Sequence, residues 1–395
     1  MMAVKKIVFV SNYFNHHQKH LSDELYKIIG DGYTFIETIP MNKARIALGW
    51  KQYSCSYLKR AYESKQSYYQ CLELINNADV VITGSAPEKM IRDRIKNKKL
   101  VFRYSERPLK NGIELKKFLY RFIKYRHLNP PSHPIYMLCA SAYTSSDYKK
   151  FGLFKNKAFK WGYFTEIKKY EDIDALIDTK DKTQILWCGR FLKLKHLDNV
   201  IQAFARLIKE GYCCSLKIIG SGPEALFLQE MVEQFQCEKY VSFEGTMTSE
   251  DVRLYMEKAG IYIFSSDFHE GWGAVLNESM NSACAVIASH AIGAAPFLIK
   301  EGLSGLIYES ENVEDLYEKM KYLIDHPDEQ RRMGKNAYHT MCNLWSPEIA
   351  AKRLFSLFEN IVSGKEPTHF DDGPCSKAQY IKNHWYKKKR KENEK

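Results

Sequence analysis

His269-Glu270-Gly271-Trp272-Gly273-Ala274-Val275-Leu276-Asn277-Glu278 is the stretch that decides how this chain is read. The apolar run at 260–265, Gly-Ile-Tyr-Ile-Phe-Ser, precedes it and reads as a buried parallel strand. After it comes Ser279-Met-Asn-Ser-Ala-Cys284, then a second apolar run, Ala285-Val-Ile-Ala-Ser289. The order is strand, acidic loop with two glycines, helix, strand. Glu270 falls on the loop and Glu278 about a turn into the helix. Glycines let a ligand come close to the backbone, and a helix N-terminus turns N–H groups and a positive dipole end toward it. The pattern suits an anionic, hydroxyl-rich ligand such as a sugar nucleotide. Taken singly, each Glu has a plainer reading as a solvated side chain.

Working outward, short apolar runs alternate with helical patterns along the whole chain. In the first half, strands are expected at 5–11, 33–38, 79–83, 100–104 and 135–140. Helices are expected at 16–30, within 56–77, near 86–97 and over 114–126. The second half restarts at 184–189 and cycles through strands at 214–219, 240–244, 260–265 and 285–289. Helices fall between them and continue to about 363. Alternation of this kind implies βαβ units with right-handed crossovers. The fold expected is α/β, with two doubly wound Rossmann-like domains facing across a cleft at the carboxyl ends of their strands. The domains are placed at 1–165 and 184–345. The polar segment 166–183, which lacks a core pattern, is read as the connection. Residues 346–395 are read as a C-terminal helix returning toward the first domain, or a partly disordered segment, ending in a basic tail.

At 395 residues the chain exceeds one ordinary core. No run approaches the roughly 18 apolar residues of a membrane span, and the apolar stretch at the start is too short for a signal peptide. The ten cysteines show neither C-x-x-C pairs nor metal-ligand spacing. Cys139, Cys188 and Cys284 lie in apolar runs and read as small core residues of a reducing cytoplasm. A formal charge of +12 fits nucleic acid, an anionic membrane or a phosphorylated substrate, and does not choose among them. Two basic elements stand out. One is the run 386–391, Tyr-Lys-Lys-Lys-Arg-Lys, beside Trp385. The other is the helix 114–126, with Leu115, Phe118, Leu119, Phe122 and Ile123 on one face and Lys116, Lys117, Arg121 and Lys124 elsewhere. That helix either packs on its domain or lies in a membrane interface.

Three more loops of the second half carry chemistry. In Trp187-Cys-Gly-Arg-Phe-Leu-Lys-Leu-Lys-His196, Gly189 permits a turn, and Arg190 and Lys195 bring two cations to a helix entrance. The guanidinium offers a planar fork for phosphate oxygens and the ammonium a point charge. Ile219-Gly220-Ser-Gly-Pro-Glu224 is a glycine-rich turn opening a helix. The strand end Glu244-Gly-Thr-Met247-Thr248 could hold a flat base by backbone contacts.

In order and spacing, these elements over about 185–310 resemble the family-four retaining glycosyltransferases of GT-B architecture. The resemblance implies that Arg190 and Lys195 neutralise a donor diphosphate and that Glu278 binds ribose hydroxyls. Glu270 would contact the donor sugar near the reacting carbon. The backbone of Gly271, Trp272, Gly273 and Ala274, together with Gly189, Gly220 and Met247, would complete the donor site. The three expected to do the chemistry are Glu270, Arg190 and Lys195. No covalent nucleophile is implied: the acceptor hydroxyl attacks from the front face, aided by the leaving phosphate. No metal and no further cofactor are implied, since the nucleotide sugar is a substrate.

The first half matches the family more loosely. Where such enzymes often carry a glycine-rich loop, this chain has Ser11-Asn-Tyr-Phe-Asn-His16-His17. The loop 291–297 also lacks the acidic residue the family tends to have near Pro296. His16 and His17, at the first helix's N-terminus, are acceptor-side or phosphate-side candidates, or simply helix-capping histidines. Ser105, Glu106 and Arg107 follow a strand. Glu106 is a candidate base or hydroxyl-orienting group, and the Glu-Arg pair a possible plain salt bridge. The partners expected are a nucleotide-sugar donor, UDP- or GDP-linked, a saccharide or lipid-diphosphate-linked acceptor, and an anionic membrane surface, with no nucleic acid. The setting expected is cytoplasmic and peripheral, in bacterial capsule, exopolysaccharide or lipopolysaccharide synthesis. Two rivals remain: a sugar-nucleotide epimerase of the same architecture, which needs no acceptor, and a basic nucleic-acid-binding protein, favoured by charge alone.

Overall fold

The computed structural model describes residues 3–387 apart from 48 and 368. Of the basic run 386–391, only Tyr386 and Lys387 fall inside that set; the rest lies outside the described residues. The chain divides into two compact units. One comprises Met1–Thr165 with Trp345–Ile381, the other Glu166–Leu344 with Lys382–Lys395.

The first unit is built on seven parallel strands: β1 (Ile7–Ser11), β2 (Tyr33–Glu37), β3 (Leu58–Arg60), β4 (Val80–Thr83), β5 (Val101–Ser105), β6 (Ile135–Cys139) and β7 (Ala158–Lys160). Their order is β3-β2-β1-β4-β5-β6-β7. The helices between them are α1 (His16–Ile29), α2 (Lys43–Ala47), α3 (Lys65–Asn77), α4 (Arg92–Lys96), α5 (Leu115–Leu128) and α6 (Thr144–Lys150). Continuous apolar runs such as Ile7-Val-Phe-Val fill the central strands because both faces of a parallel sheet are covered. The Asn15 side chain accepts from the His17 N–H to start α1, and Gly30, at φ +56°, ends it.

The second unit begins with α7 (Ile173–Asp178) and β8 (Asp181–Cys188). It continues through α8 (Leu197–Lys209), β9 (Ser215–Ile219), α9 (Ala225–Gln234), β10 (Val241–Gly245) and α10 (Ser249–Lys258). Then come β11 (Ala259–Phe264), α11 (Val275–Asn281), β12 (Ala285–Ser289), α12 (Ala295–Leu298), β13 (Leu306–Tyr308), α13 (Val313–Asp325) and α14 (Pro327–Asn343). Its six parallel strands run β10-β9-β8-β11-β12-β13. Both sheets therefore have the same doubly wound order. Each reverses direction at one point, between β1 and β4 and between β8 and β11, where such sheets bind ligands beyond the carboxyl ends of the strands.

Several expectations need correcting. Residues 166–183, read as the connection, group with the second unit and carry a short helix. Asp172 caps α7 with its carboxylate, and Ile177 packs with Ala283 and Tyr338 inside the second unit. The helix expected near 86–97 breaks into a tight turn at Glu88–Met90 and the short α4. β3, β7 and β13 went unread because three-residue edge strands carry no period. Past 364 the described residues are non-helical up to 384, and 385–387 are helical. α15 (Pro347–Val362) packs on α1, with Phe358 against Phe102 at 4.7 Å between ring centroids. The chain then runs antiparallel along β7: Cys375 N–H donates to Lys160 O, Lys160 N–H to Ser376 O and Ala378 N–H to Ala158 O. That contact covers an edge of unpaired backbone groups. Residues 382–387 join the second unit, where the Tyr386 hydroxyl donates to Ile307 O at 2.6 Å.

Candidate active site

In the second unit the reversal point lies between the end of β8 and the end of β11. The chain leaves β8 through Cys188, Gly189 and Arg190 and makes a tight turn over Lys193–Lys195. His196, at φ +45°, then caps α8 in the left-handed conformation. From the end of β11 come Ser265, Ser266, Asp267, Phe268, His269 and Glu270. The two loops are stitched together. Ser265 Oγ accepts from the Trp187 indole N–H at 3.0 Å and donates to Lys195 O. Asp267 N–H donates to Leu194 O.

The Lys195 ammonium donates to Glu270 Oε2, and Ser266 Oγ donates to the same oxygen at 2.9 Å. Lysine and carboxylate are each about four-fifths buried, so solvent screens their attraction only weakly. Lys195 also lies over the Phe264 ring. Arg190, by contrast, is exposed, and among the described residues it has no ion-pair partner.

Glu278 sits on the fourth residue of α11. Burial pushes its carboxyl up to about 7, with the cation of Arg253 pulling the other way. Its charge reaches Cys188 and Tyr262, which places it beside the end of β8. Among the described residues its carboxylate has no hydrogen-bond partner. A desolvated acid without a donor is costly in a resting protein and useful to a ligand that brings donors.

The glycines are held by contact. At Gly273, φ is +90° and a β-carbon would stand 2.3 Å from Phe264 Cε1. At Gly220 a β-carbon would stand 1.9 Å from Gly189 O. Trp272 contributes no ring to a ligand: it is fully buried, its indole donates to Asn277 Oδ1 at 2.9 Å, and only its backbone remains available. Met247 is half-buried just past the end of β10.

Sequence reading missed Asp267. Its Oδ1 accepts from the backbone and ring of His269 at 2.8 and 2.9 Å, and its Oδ2 lies 3.3 Å from His196 Nε2. Nothing in the spacing marked it, since its partners come from both loops. Among the described residues no group of three or more His, Cys, Asp or Glu is placed to hold a metal ion.

In the first unit, the loop after β1 brings His16 and His17 to that sheet's reversal point. His16 packs edge-on against Trp50 at 4.7 Å, and His17 stacks on Tyr163 at 5.0 Å. Burial holds both imidazoles down, His16 to about 4 and His17 well below its ordinary value, with His20 and Arg45 adding to the effect on both and His16 to that on His17. His17 Nδ1 is buried and among the described residues has no hydrogen-bond partner. Tyr163 donates its hydroxyl to Glu106 Oε1 at 2.5 Å. Glu106 therefore joins the histidines, along with Trp50 and Tyr163, which sequence reading missed. Tyr163 follows the unread β7, so no signal announced it.

Glu106 and Arg107 do not form the pair expected of them. Consecutive side chains on an extended chain point opposite ways. Arg107 turns inward to a buried ion pair with Asp147 at 3.2 Å, which also accepts from Leu109 N–H, and it lies over the Tyr143 ring. It is buried, and the ion pair holds it inside the first unit. Ser105 donates to Glu106 O and lies 3.5 Å from the Tyr148 hydroxyl, an internal role as well.

Comparison with known proteins bears on the second unit and on the fold. The sequence model of the family described as "Glycosyl transferases group 1" matches residues 169–340. The chain is 24% identical over 181 residues to the alpha-D-kanosaminyltransferase of Streptomyces kanamyceticus, covering 46% of each protein. To the capsular polysaccharide biosynthesis glycosyltransferase CapM of Staphylococcus aureus it is 24% identical over 186 residues, 47% of this chain and 48% of that protein. It thus spans about half the length of the curated relatives it matches. The crystal structure of Anabaena HepE in complex with UDP superposes with a TM-score of 0.65 over 88% of this chain and 98% of that one, at 13% identity. That likeness speaks to the fold, two Rossmann-like domains of the GT-B class.

Proposed function

We propose that the chain, whose residues 169–340 match the glycosyl transferases group 1 family, moves a sugar from a nucleotide-sugar donor, UDP- or GDP-linked, to a saccharide or lipid-diphosphate-linked acceptor. The pathway in this reading is the synthesis of a bacterial surface polysaccharide, capsule or exopolysaccharide, on the cytoplasmic side of a membrane. The observation that carries it is the meeting of Lys195 with Glu270 across the reversal point of the second sheet, beside the unpartnered, desolvated Glu278.

In this reading the acceptor oxygen bonds to the anomeric carbon while the bond from that carbon to the diphosphate oxygen breaks. The electron pair leaves with the diphosphate, and the acceptor proton passes to a phosphate oxygen on the same face, so configuration is retained. Negative charge grows on the leaving group, and fixed cations aimed at it are the largest contribution a protein can make. Arg190 and Lys195 supply them. Glu270 holds the donor sugar by its hydroxyls, and Glu278 accepts from the vicinal ribose hydroxyls, which supply the donors it lacks. Gly189, Gly220 and the backbone of 271–274 line the nucleotide. Glu106, with His16, His17, Trp50 and Tyr163, forms the acceptor side, the aromatic rings offering a face for a sugar ring. No metal enters this scheme.

The test is thermal stabilisation by a panel of sugar nucleotides and bare nucleotides in EDTA, followed by transfer assays and the anomeric configuration of the product. One NDP-sugar should raise the melting temperature, since a ligand of the native state must do so. Arg190→Ala and Glu270→Ala should lose transfer while keeping the fold. An Arg190→Ala protein with full activity would overturn the phosphate assignment. Turnover of the donor to an epimer without acceptor would overturn transfer.

A further inference from the structure

Helix α5 presents more apolar surface than its own unit covers. On the helix, Leu115, Phe118, Leu119, Phe122 and Ile123 form one broad face. Phe118 and Tyr125 meet Phe151, each at 5.1 Å between ring centroids, and with Phe122 they seal one edge of that face onto the core. The other edge stays outside: Leu115 is 73%, Leu119 58% and Ile123 71% exposed, with Ile113 continuing the stripe ahead of the helix. A row of large aliphatic side chains three and four residues apart, left in water, is a recognisable interaction surface.

The surrounding charge says what covers it. Lys110, Lys116, Lys117, Arg121, Lys124 and Arg126 stand along this segment, against the single carboxylate of Glu114. Glu114 is spent on Lys117 at 2.8 Å. Lys124 lies over the Tyr120 ring, itself exposed. Aliphatic stripe, interfacial tyrosine and flanking lysines are the features that seat a helix in the plane of a lipid headgroup region. A second copy of this chain would bring like charges together. The chain's own tail, Lys387-Lys-Lys-Arg-Lys391, is basic too and offers no complement.

We propose that the stripe Ile113–Leu115–Leu119–Ile123 and its lysines dock the protein onto an anionic lipid surface. Lipid acyl chains take the aliphatic side chains and acidic headgroups take the cations. This goes beyond the transfer reaction and depends on none of the donor chemistry, so either can fail alone.

The test is sedimentation of the full chain with vesicles of one part phosphatidylserine to two parts phosphatidylcholine, against phosphatidylcholine alone. Binding should be roughly tenfold or more tighter to the anionic vesicles and should weaken at high salt. Leu119→Ser with Ile123→Ser should remove most of it, and Lys116→Glu with Lys124→Glu should do the same. Because all four side chains point outward, the melting temperature and its response to sugar nucleotides should not change. Equal binding to both vesicle types, or unchanged binding by the double variants, would overturn the proposal. So would a concentration-dependent dimer in light scattering that Leu119→Ser with Ile123→Ser abolishes.

Discussion

Replacing Glu278 by glutamine should make the ligand-free protein more stable and the donor complex weaker, and the size of the first effect follows from the carboxyl's environment. Its folded value of about 7 stands above the ordinary 4.5. An acid held up in this way costs nothing below its unfolded value, where both states are protonated. The cost grows as pH rises between the two values and is complete above the folded one. At about 1.4 kcal/mol per unit, the full cost is roughly 3 kcal/mol, and about 2 after allowing for the solvent its half-buried side chain keeps. For a unit of this size, that is a rise of about 4–8 °C in melting temperature. Glu278→Gln should show it at about pH 8 and lose most of it near pH 5. The same variant should bind nucleotide sugar about ten to a hundred times more weakly, since a hydrogen bond to a charged acceptor is worth roughly 1.5–3 kcal/mol. Differential scanning fluorimetry at the two pH values and titration calorimetry read both effects. A glutamine variant less stable at pH 8, or equally shifted at both pH values, would refute the argument that the carboxylate lacks a donor.

Gly273→Ala forces a β-carbon into Phe264 at a positive φ and should cost about 2–4 kcal/mol in urea unfolding. Lys195→Ala should cut turnover about a hundred- to a thousandfold in steady-state kinetics while donor affinity falls far less, as expected for a charge felt mainly in the transition state. Asp147→Ala strands the buried Arg107 guanidinium and should destabilise the protein by about 3–5 kcal/mol. Circular dichroism would show that loss, and normal turnover of the protein that remains folded would place Arg107 outside the chemistry.

Much of the architecture could be read because the central strands are continuous Val, Ile and Phe runs separated by helices of ordinary length, a pattern few folds share. The loop of Glu270 could be placed because two apolar runs bracket its glycines, while the roles of its carboxylates came only from the resemblance. What escaped has physical reasons. Edge strands such as Leu58–Arg60 are too short for any period. The Lys195–Glu270 contact joins residues 75 apart in sequence, and no local pattern encodes which strand ends are neighbours. Glu106 and Arg107 were misjudged as a pair because adjacency in sequence is not adjacency of side chains. On α5, periodicity gave the apolar face correctly but could not tell that only one edge of it is covered.

The path of the chain carries a consequence for biosynthesis. The first unit takes its strands from before Thr165, but its α15 helix and the segment lying along β7 come from beyond Trp345. A ribosome working at roughly 5–20 residues per second must make the whole intervening stretch before those pieces emerge, a delay of roughly ten to forty seconds. During that interval α1 and the core around Phe102 lack their cover and the outer edge of β7 is bare, while the later unit already has most of its strands. The half that is translated first is thus the half that finishes late, and the nascent chain is most exposed to aggregation and to chaperones at its amino-terminal sheet.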